Sequence, residues 1–149
     1  ESAIKILKGE KIIDQADIDI DIGIYGFIPE EIIPQAELRL SIYKEISSIK
    51  ENKNLEQNKK DFIDRFGDVT SEITNLYELS KLKNIARKLN ILGIKYRDEN
   101  FSLKLADDSR LIPPSSKIRE IKVSAKDIKS DRLTFIMSKL ESFLDKNEI

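Results

Sequence analysis

The chain has 149 residues, a length that suits one domain with a single hydrophobic core. Its 26 basic and 27 acidic residues leave a net charge of -1, which disfavours a dedicated nucleic-acid-binding protein because such proteins usually carry a basic excess. The sequence contains no Cys and no His, which excludes thiol nucleophiles, disulfides, thiolate or imidazole metal sites and imidazole-based catalysis.

Other features are also absent from the sequence. No apolar run reaches the roughly 20 residues that a membrane span needs, and no signal peptide is recognisable, so we expect a cytoplasmic protein with no membrane contact. No Gly-Lys-Thr or Gly-Lys-Ser motif is present, so we expect no cofactor. Residues 1–16 are polar and weakly patterned, and we expect them to be a segment left from a longer chain, followed by a single domain over 17–149.

The first predicted element is a strand over Asp17–Tyr25, where carboxylate or Gly alternates with Ile. This period of two indicates one buried face, formed by Ile18, Ile20, Ile22 and Ile24. The opposite face carries Asp17, Asp19 and Asp21. Outward carboxylates discourage edge-to-edge pairing, so we expect an edge strand with a solvated acidic face. A calcium loop is the less favoured alternative, because it would need Gly punctuation and a distal Glu.

A helix is predicted over about Gln35–Lys50, with Pro34 at its first position. The segment "ENKN" at 51–54 is expected to break the chain before a second, shorter helix that starts at about Leu55. That second helix should stop at Gly67, a residue suited to a left-handed cap. Its predicted inward side chains are Phe62, Ile63 and Phe66.

A third helix is predicted to begin with Thr70 or Ser71 as its cap and to end at Asn90, a residue that tolerates positive φ. Its apolar stripe comprises Ile73, Leu76, Leu79, Leu82, Ile85, Ala86 and Leu89.

The pattern then changes to a predicted hairpin, with strands Ile91–Arg97 and Phe101–Leu105. Pro113, Pro114, Ser115 and Ser116 predict a loop, and residues 117–125 a third strand. An amphipathic helix from Ser130 to about Lys146 closes the chain. The predicted class is α+β: a three-helix body with an N-terminal edge strand, a small antiparallel sheet and a C-terminal helix.

Three sequence blocks together resemble the C-terminal domain of the bacterial transcription-repair coupling factor (Mfd) family. They are "FIPEEIIPQAELRLSIYKEI" at Phe27–Ile46, "DFIDRFGDV" at Asp61–Val69 and "LYELSKLKNIARKLNI" at Leu76–Ile91. The order and the spacing of the blocks fit the family as well as their residues do, and the resemblance covers residues 18 to about 105.

The resemblance implies a non-catalytic regulatory domain of a much larger protein. In this family the parent is an ATP-driven DNA translocase that displaces stalled RNA polymerase from double-stranded DNA and recruits UvrA. Its C-terminal domain docks on a UvrB-like N-terminal domain of the same chain and covers the surface that UvrA would bind.

The family's docking surface involves acidic positions that fall on Asp61 and Asp64 in this sequence. Spaced i, i+3 on a helix, these two carboxylates would share a face and suit arginines of a partner. The alternative is ordinary surface pairing along their own helix, Asp61 with Arg65 and Asp64 with Lys60, each worth only about 0.3 to 0.5 kcal/mol.

Two further functions remain as alternatives. A nucleic-acid contact module of a helicase-like protein would use basic and aromatic residues late in the third helix and beyond: Lys81, Lys83, Arg87, Lys88, Lys95, Tyr96 and Arg97. A carboxylate-dependent hydrolase would use Glu30, Glu31 or Glu37, but no paired acid and base is recognisable among them.

Overall fold

The computed structural model describes residues 18–67, 69–109, 111–113, 117–126, 128 and 131–147, with residues 146 and 147 described by their backbone alone. These residues form an α+β fold with an N-terminal strand and a C-terminal helix, as predicted. The elements in chain order are β1 (Asp19–Asp21), α1 (Ala36–Ser48), α2 (Asn52–Phe66), α3 (Ser71–Lys88), β2 (Ile91–Arg97), β3 (Asn100–Leu105), β4 (Glu120–Ser124) and α4 (Arg132–Asn147).

The four strands form one mixed sheet in the order β1-β2-β3-β4, so β1 lies at an edge, as predicted. The predicted hairpin is confirmed as β2 and β3, which pair antiparallel around the two-residue turn Asp98-Glu99. Both turn residues have positive φ, 53° and 63°, as a type I′ turn requires. β4 extends the antiparallel part, whereas β1 pairs parallel with β2, in the register of Ile20 with Ile94.

The N-terminal strand is shorter than predicted, because it ends at Asp21 and does not continue to Tyr25. Gly23 turns the chain away from the sheet with a φ of 77°. The carbonyl oxygen of Ile22 accepts a hydrogen bond of 2.9 Å from Arg132 Nη1 of α4, so a side chain takes the place of a strand partner.

The first helix also begins later than predicted. Pro34 does not occupy the first helical position, because α1 starts at Ala36 with Gln35 as its N-cap. The Nη1 atom of Arg39 donates to the carbonyl oxygens of Ile33, at 2.8 Å, and of Pro34, at 3.0 Å. These two hydrogen bonds satisfy the carbonyl groups and hold the preceding chain extended.

The second helix, by contrast, begins earlier than predicted, at Asn52 within the segment that was expected to break the chain. The side chain of Asn52 accepts a hydrogen bond of 3.0 Å from Asn84 Nδ2 and lies 3.5 Å from the carbonyl oxygen of Lys81. Contacts with α3 therefore fix the first turn of α2, which the local sequence does not favour.

Helix α3 joins two hydrophobic cores. Its first half places Ile73 and Tyr77 in a core shared with α1 and α2, and its second half places Leu82 and Ile85 in a core shared with the sheet and α4. Of the two predicted caps, Thr70 and Ser71, the structure uses Thr70, whose hydroxyl accepts from the backbone N–H of Ile73 at 3.3 Å. Because one helix contributes to both cores, the helical half and the sheet half are held in a fixed relation.

Some predictions lie outside the described residues: the N-terminal segment 1–16, Asp17 of the acidic row, the loop residues Pro114, Ser115 and Ser116, and the helix start at Ser130. No helix of the described part is both long and apolar enough to cross a membrane.

Candidate partner-docking surface

Aromatic side chains anchor α2 to the helical core. Phe62 is buried, its ring centroid lies 4.8 Å from that of Phe66, and it meets the ring of Tyr77 edge-on at 6.5 Å. The prediction that Ile63 points inward is wrong, because its side chain is 38% exposed. Ile63 lies about 100° around the helix from the buried Phe62, so its side chain turns toward the surface.

Asp61 and Asp64 are both exposed on the outer side of α2. Within the described part of the chain neither carboxylate forms an ion pair, so the predicted pairs with Arg65 and Lys60 are absent there. Arg65 instead places its guanidinium 4.8 Å from the centre of the Phe66 ring. Asp61 accepts one hydrogen bond, from Gln57 Nε2 at 3.1 Å. Both carboxylates therefore keep most of their acceptor capacity for another molecule.

A third carboxylate, Glu45 of α1, lies beside Asp61 across the cleft between α1 and α2. Asn58 Nδ2 donates to Glu45 Oε2 at 2.7 Å, and Asn58 Oδ1 accepts from the Tyr77 hydroxyl at 2.6 Å. We refer to Glu45, Asp61 and Asp64 as the acidic surface. Glu45 was not predicted as a site residue, because its proximity to Asp61 depends on helix packing and leaves no signal in the local sequence.

The ionisation of Tyr77 reflects this setting. Burial raises its pKa from 10.0 to about 12, and the negative charges of Glu45 and Asp61 add to the shift. The phenol therefore stays neutral and keeps its proton for Asn58. A neutral donor beneath the acidic surface holds Asn58, and through it Glu45, in one orientation.

The acidic surface suits the binding of cationic side chains. Carboxylates on neighbouring turns and helices accept charge-assisted hydrogen bonds from guanidinium or ammonium groups, which are about twice as strong as neutral ones. Among the described residues, no group of three or more carboxylates is arranged to hold a metal ion. The acidic surface is therefore suited to contact with positively charged groups.

The basic stretch of α3 is partly neutralised by acidic residues of its neighbours. Lys81 forms ion pairs with Glu56 and, at 3.1 Å, with Glu78, and burial lowers the pKa of the Lys81 ammonium. Lys88 pairs with Glu51 at 3.6 Å. These pairs reduce the positive field that a duplex-binding helix would need.

The aromatic residue of the nucleic-acid alternative, Tyr96, is committed to packing within the domain. The guanidinium of Arg132 stacks 4.2 Å from the centre of its ring, and Phe101 meets it edge-on at 5.0 Å. Its ring is therefore not available as a platform on which a base could stack. Its neighbours Lys95 and Arg97 on β2 are exposed.

The carboxylates of the hydrolase alternative do not form a paired site. Glu30 and Glu31 lie exposed in a turn before α1, and Glu37 lies exposed in the first turn of that helix. All three side chains are exposed and lie on the surface before or at the start of α1, so they do not form a buried acid–base pair.

Comparison with known proteins shows which family the chain resembles. The family model described as the TRCF domain matches residues 22–116. The chain is 30% identical to the transcription-repair-coupling factor of Rickettsia conorii over 100% of its own length and 13% of that protein's length. It is 31% identical to the same-named protein of Borreliella burgdorferi and 27% identical to that of Escherichia coli, over 80% and 76% of its length and 10% of each relative.

The fold has a counterpart among solved structures. A crystal structure of the C-terminal domain of a transcription-repair coupling factor superposes with a TM-score of 0.71, at 20% sequence identity, over 90% of this chain and 97% of that one. The family match and the curated relatives agree, and we conclude that the chain belongs to the TRCF domain family of transcription-repair coupling factors.

Proposed function

We propose that this chain is a non-catalytic regulatory domain that docks on a UvrB-like N-terminal domain of the same longer protein. In the docked state it covers the surface that would bind UvrA, and so it inhibits recruitment of the excision machinery. The longer protein would supply the ATP-driven translocation on double-stranded DNA and the contact with RNA polymerase. This proposal rests on the family membership and on the geometry of the acidic surface.

The observation that carries the proposal is that Asp61 and Asp64 are exposed on α2 and form no ion pair with any residue that the structure describes. Surface carboxylates that already had arginine or lysine partners would have to exchange them on docking. Here Asp61 gives up only one hydrogen bond, to Gln57, and Asp64 forms no ion pair within the described residues. The buried ring of Phe62 anchors the helix behind these two carboxylates. Docking would therefore cost little conformational entropy of the α2 backbone.

Glu45 extends the surface toward α1. Its hydrogen bond to Asn58 holds the carboxylate close to Asp61, so a partner would meet negative charge from two helices. A partner face that carries several arginines matches this arrangement, because guanidinium groups bind carboxylates in a bidentate geometry.

The expected affinity of intramolecular docking suits a contact that is mostly closed but still reversible. Two surfaces on one polypeptide have an effective concentration of about 1 mM when the connection spans the gap, so a contact with a dissociation constant of about 10 µM keeps roughly 99% of molecules closed. Truncating one member of a buried charge pair typically costs about 2 to 5 kcal/mol, which is enough to open most of them.

The direct test is a binding titration between the 149-residue chain and a UvrB-like domain of a transcription-repair coupling factor. We expect the double variant Asp61→Arg with Asp64→Arg to weaken the affinity at least a hundredfold, because the change replaces attraction by repulsion. Circular dichroism should show an unchanged fold, since both side chains are exposed.

A matched control reverses two other exposed carboxylates, with Asp19→Arg and Asp21→Arg on the edge strand. This control makes the same change in net charge on a different element, and its affinity should stay near that of the unaltered chain. Equal affinities of the two double variants would show that the acidic surface is not the docking site.

A further inference from the structure

A second polar cleft lies between the C-terminal end of α1 and α3, and its lining includes no residue of the acidic surface. Its polar lining consists of Ser47, Lys50, Ser80, Lys83, Asn84 and Arg87. Three of these residues are basic, and none is acidic. Lys81 and Lys88 of α3 pair with acidic residues of α2, its N-cap and α3, whereas Arg87 of the same helix borders this cleft.

Lys50 and Arg87 carry charge that has no acidic partner in the part of the chain that the structure describes. Lys50 Nζ donates to the carbonyl oxygen of Ser47 at 3.2 Å, and Arg87 Nη1 donates to Asn84 Oδ1 at 2.8 Å. Both contacts are with neutral groups. The partial negative charge at the C-terminal end of α1 favours a nearby cation such as Lys50, but Arg87 lies on another helix.

The buried side chain of Asn84 holds the cleft in shape. Asn84 is only 5% exposed, and its Nδ2 donates to the carbonyl oxygen of Ile49 at 3.1 Å and to Asn52 Oδ1 at 3.0 Å. Its remaining polar atom, Oδ1, accepts from Arg87. One amide thus joins the end of α1, the start of α2 and the guanidinium, so Arg87 is positioned before any ligand arrives.

The hydrogen-bond donors of the residues that line the cleft indicate what the cleft would bind. The hydroxyls of Ser47 and Ser80 already donate to the backbone carbonyls of Lys44, at 3.0 Å, and of Leu76, at 2.9 Å. Lys50 and Arg87 keep further donors beyond these contacts, because an ammonium has three N–H groups and a guanidinium five. A ligand of high negative charge with several acceptor oxygens fits these donors, whereas a neutral ligand does not.

We propose that this cleft binds a phosphate group, with Arg87 and Lys50 as its ligands and Asn84 as the residue that positions Arg87. The phosphate could be supplied as the free ion or as part of a nucleic-acid backbone. None of the three residues of the acidic surface lines this cleft, so the proposal does not depend on the proposed docking.

The test is a titration of the isotopically labelled 149-residue chain with inorganic phosphate, at constant ionic strength, followed by backbone amide chemical shifts. We expect saturable shifts at Ser80, Asn84 and Arg87. The affinity should fall at least fivefold in Arg87→Gln and in Lys50→Gln. Because Lys50 is exposed, Lys50→Gln leaves the fold intact even if Arg87→Gln disturbs the Asn84 contacts.

The control variant is Lys88→Gln, which removes a cation from the same helix at the position next to Arg87 and should leave phosphate affinity unchanged. Addition of a short DNA duplex then identifies the source, because competition with phosphate assigns the site to a nucleic-acid backbone and lack of competition assigns it to the free ion. Shifts that do not saturate, that chloride reproduces, or that Lys88→Gln weakens as much as Arg87→Gln would overturn the proposal.

Discussion

The hydroxyl of Tyr77 donates a hydrogen bond of 2.6 Å to the side-chain oxygen of Asn58. The ring of Tyr77 is fully buried in the helical core, whereas Asn58 reaches the surface of α2 and donates to Glu45. A residue of the core thus determines the orientation of a carboxylate at the proposed docking surface. The Tyr77 hydroxyl therefore contributes both to the stability of the domain and to the geometry of the proposed docking surface.

Tyr77→Phe removes this hydrogen bond while keeping the ring that packs against Phe62. We expect the free energy of unfolding to fall by about 1 kcal/mol, the usual net value of such a bond. Urea denaturation measures the change. Tyr25→Phe is the matched control, because Tyr25 is 72% exposed and its substitution should alter stability by much less. Equal effects of the two substitutions would argue against a structural role for the Tyr77 hydroxyl.

The raised pKa of Tyr77 predicts a specific loss of stability in alkali. Between the unfolded value of 10.0 and the folded value of about 12, the unfolded chain releases the phenolic proton while the folded chain keeps it. Stability therefore falls as pH rises through this window, by about 1 kcal/mol between about pH 9 and about pH 11 from this group. Tyr77→Phe lacks the contribution, so its disadvantage relative to the unaltered chain should shrink. A constant difference at both pH values would contradict the prediction.

Gly26 lies against the backbone of α3, and a side chain there has no room. A Cβ atom added to Gly26 would lie 2.3 Å from the backbone nitrogen and 2.4 Å from the Cα atom of Leu76. We expect Gly26→Ala to destabilise the domain by roughly 2 to 3 kcal/mol, measured by thermal or urea unfolding, because backbone must move to admit it.

Gly67 provides the contrast, because a Cβ atom added there would meet nothing within 4 Å and its cost would come only from a φ of 88°. The smaller loss expected for Gly67→Ala, about 1 kcal/mol, separates backbone strain from steric exclusion. A loss in Gly26→Ala no greater than this would show that α3 moves aside readily.

The cap of α3 offers a local test of stability. Thr70→Ala removes the hydroxyl that accepts from the N–H of Ile73, and we expect a loss of about 1 kcal/mol in the free energy of unfolding. Thr70→Ser keeps the acceptor and should retain most of the stability. If both variants lose the same amount, packing of the Thr70 methyl group and not the cap is responsible.

The elements that could be predicted are those whose signals are local. The hairpin of β2 and β3, the cap at Thr70 and the turn at Asn90 just after α3, with its φ of 56°, depend on residues that are adjacent in the chain. The elements whose bounds were wrong depend on distant partners. Arg132 of α4 ends β1 through the Ile22 carbonyl, and Asn84 of α3 fixes the start of α2.

In the candidate site, too, some features follow from the local sequence and others depend on distant partners. The i, i+3 spacing of Asp61 and Asp64 follows from the sequence, and the structure places both on the surface of α2. The approach of Glu45, and the burial of the polar residues Tyr77 and Asn84, depend on how three helices pack. A sequence pattern records that a residue is polar, but it does not record that a partner from another helix will satisfy it.

We propose that the acidic surface holds this domain against a UvrB-like domain and so blocks the binding of UvrA. The most direct measurement is the affinity for UvrA of the longer protein that carries this domain, with and without Asp61→Arg and Asp64→Arg. We predict that the double variant binds UvrA at least tenfold more tightly, while the control pair Asp19→Arg and Asp21→Arg leaves the affinity unchanged. An affinity for UvrA that is the same in all three proteins would contradict the account.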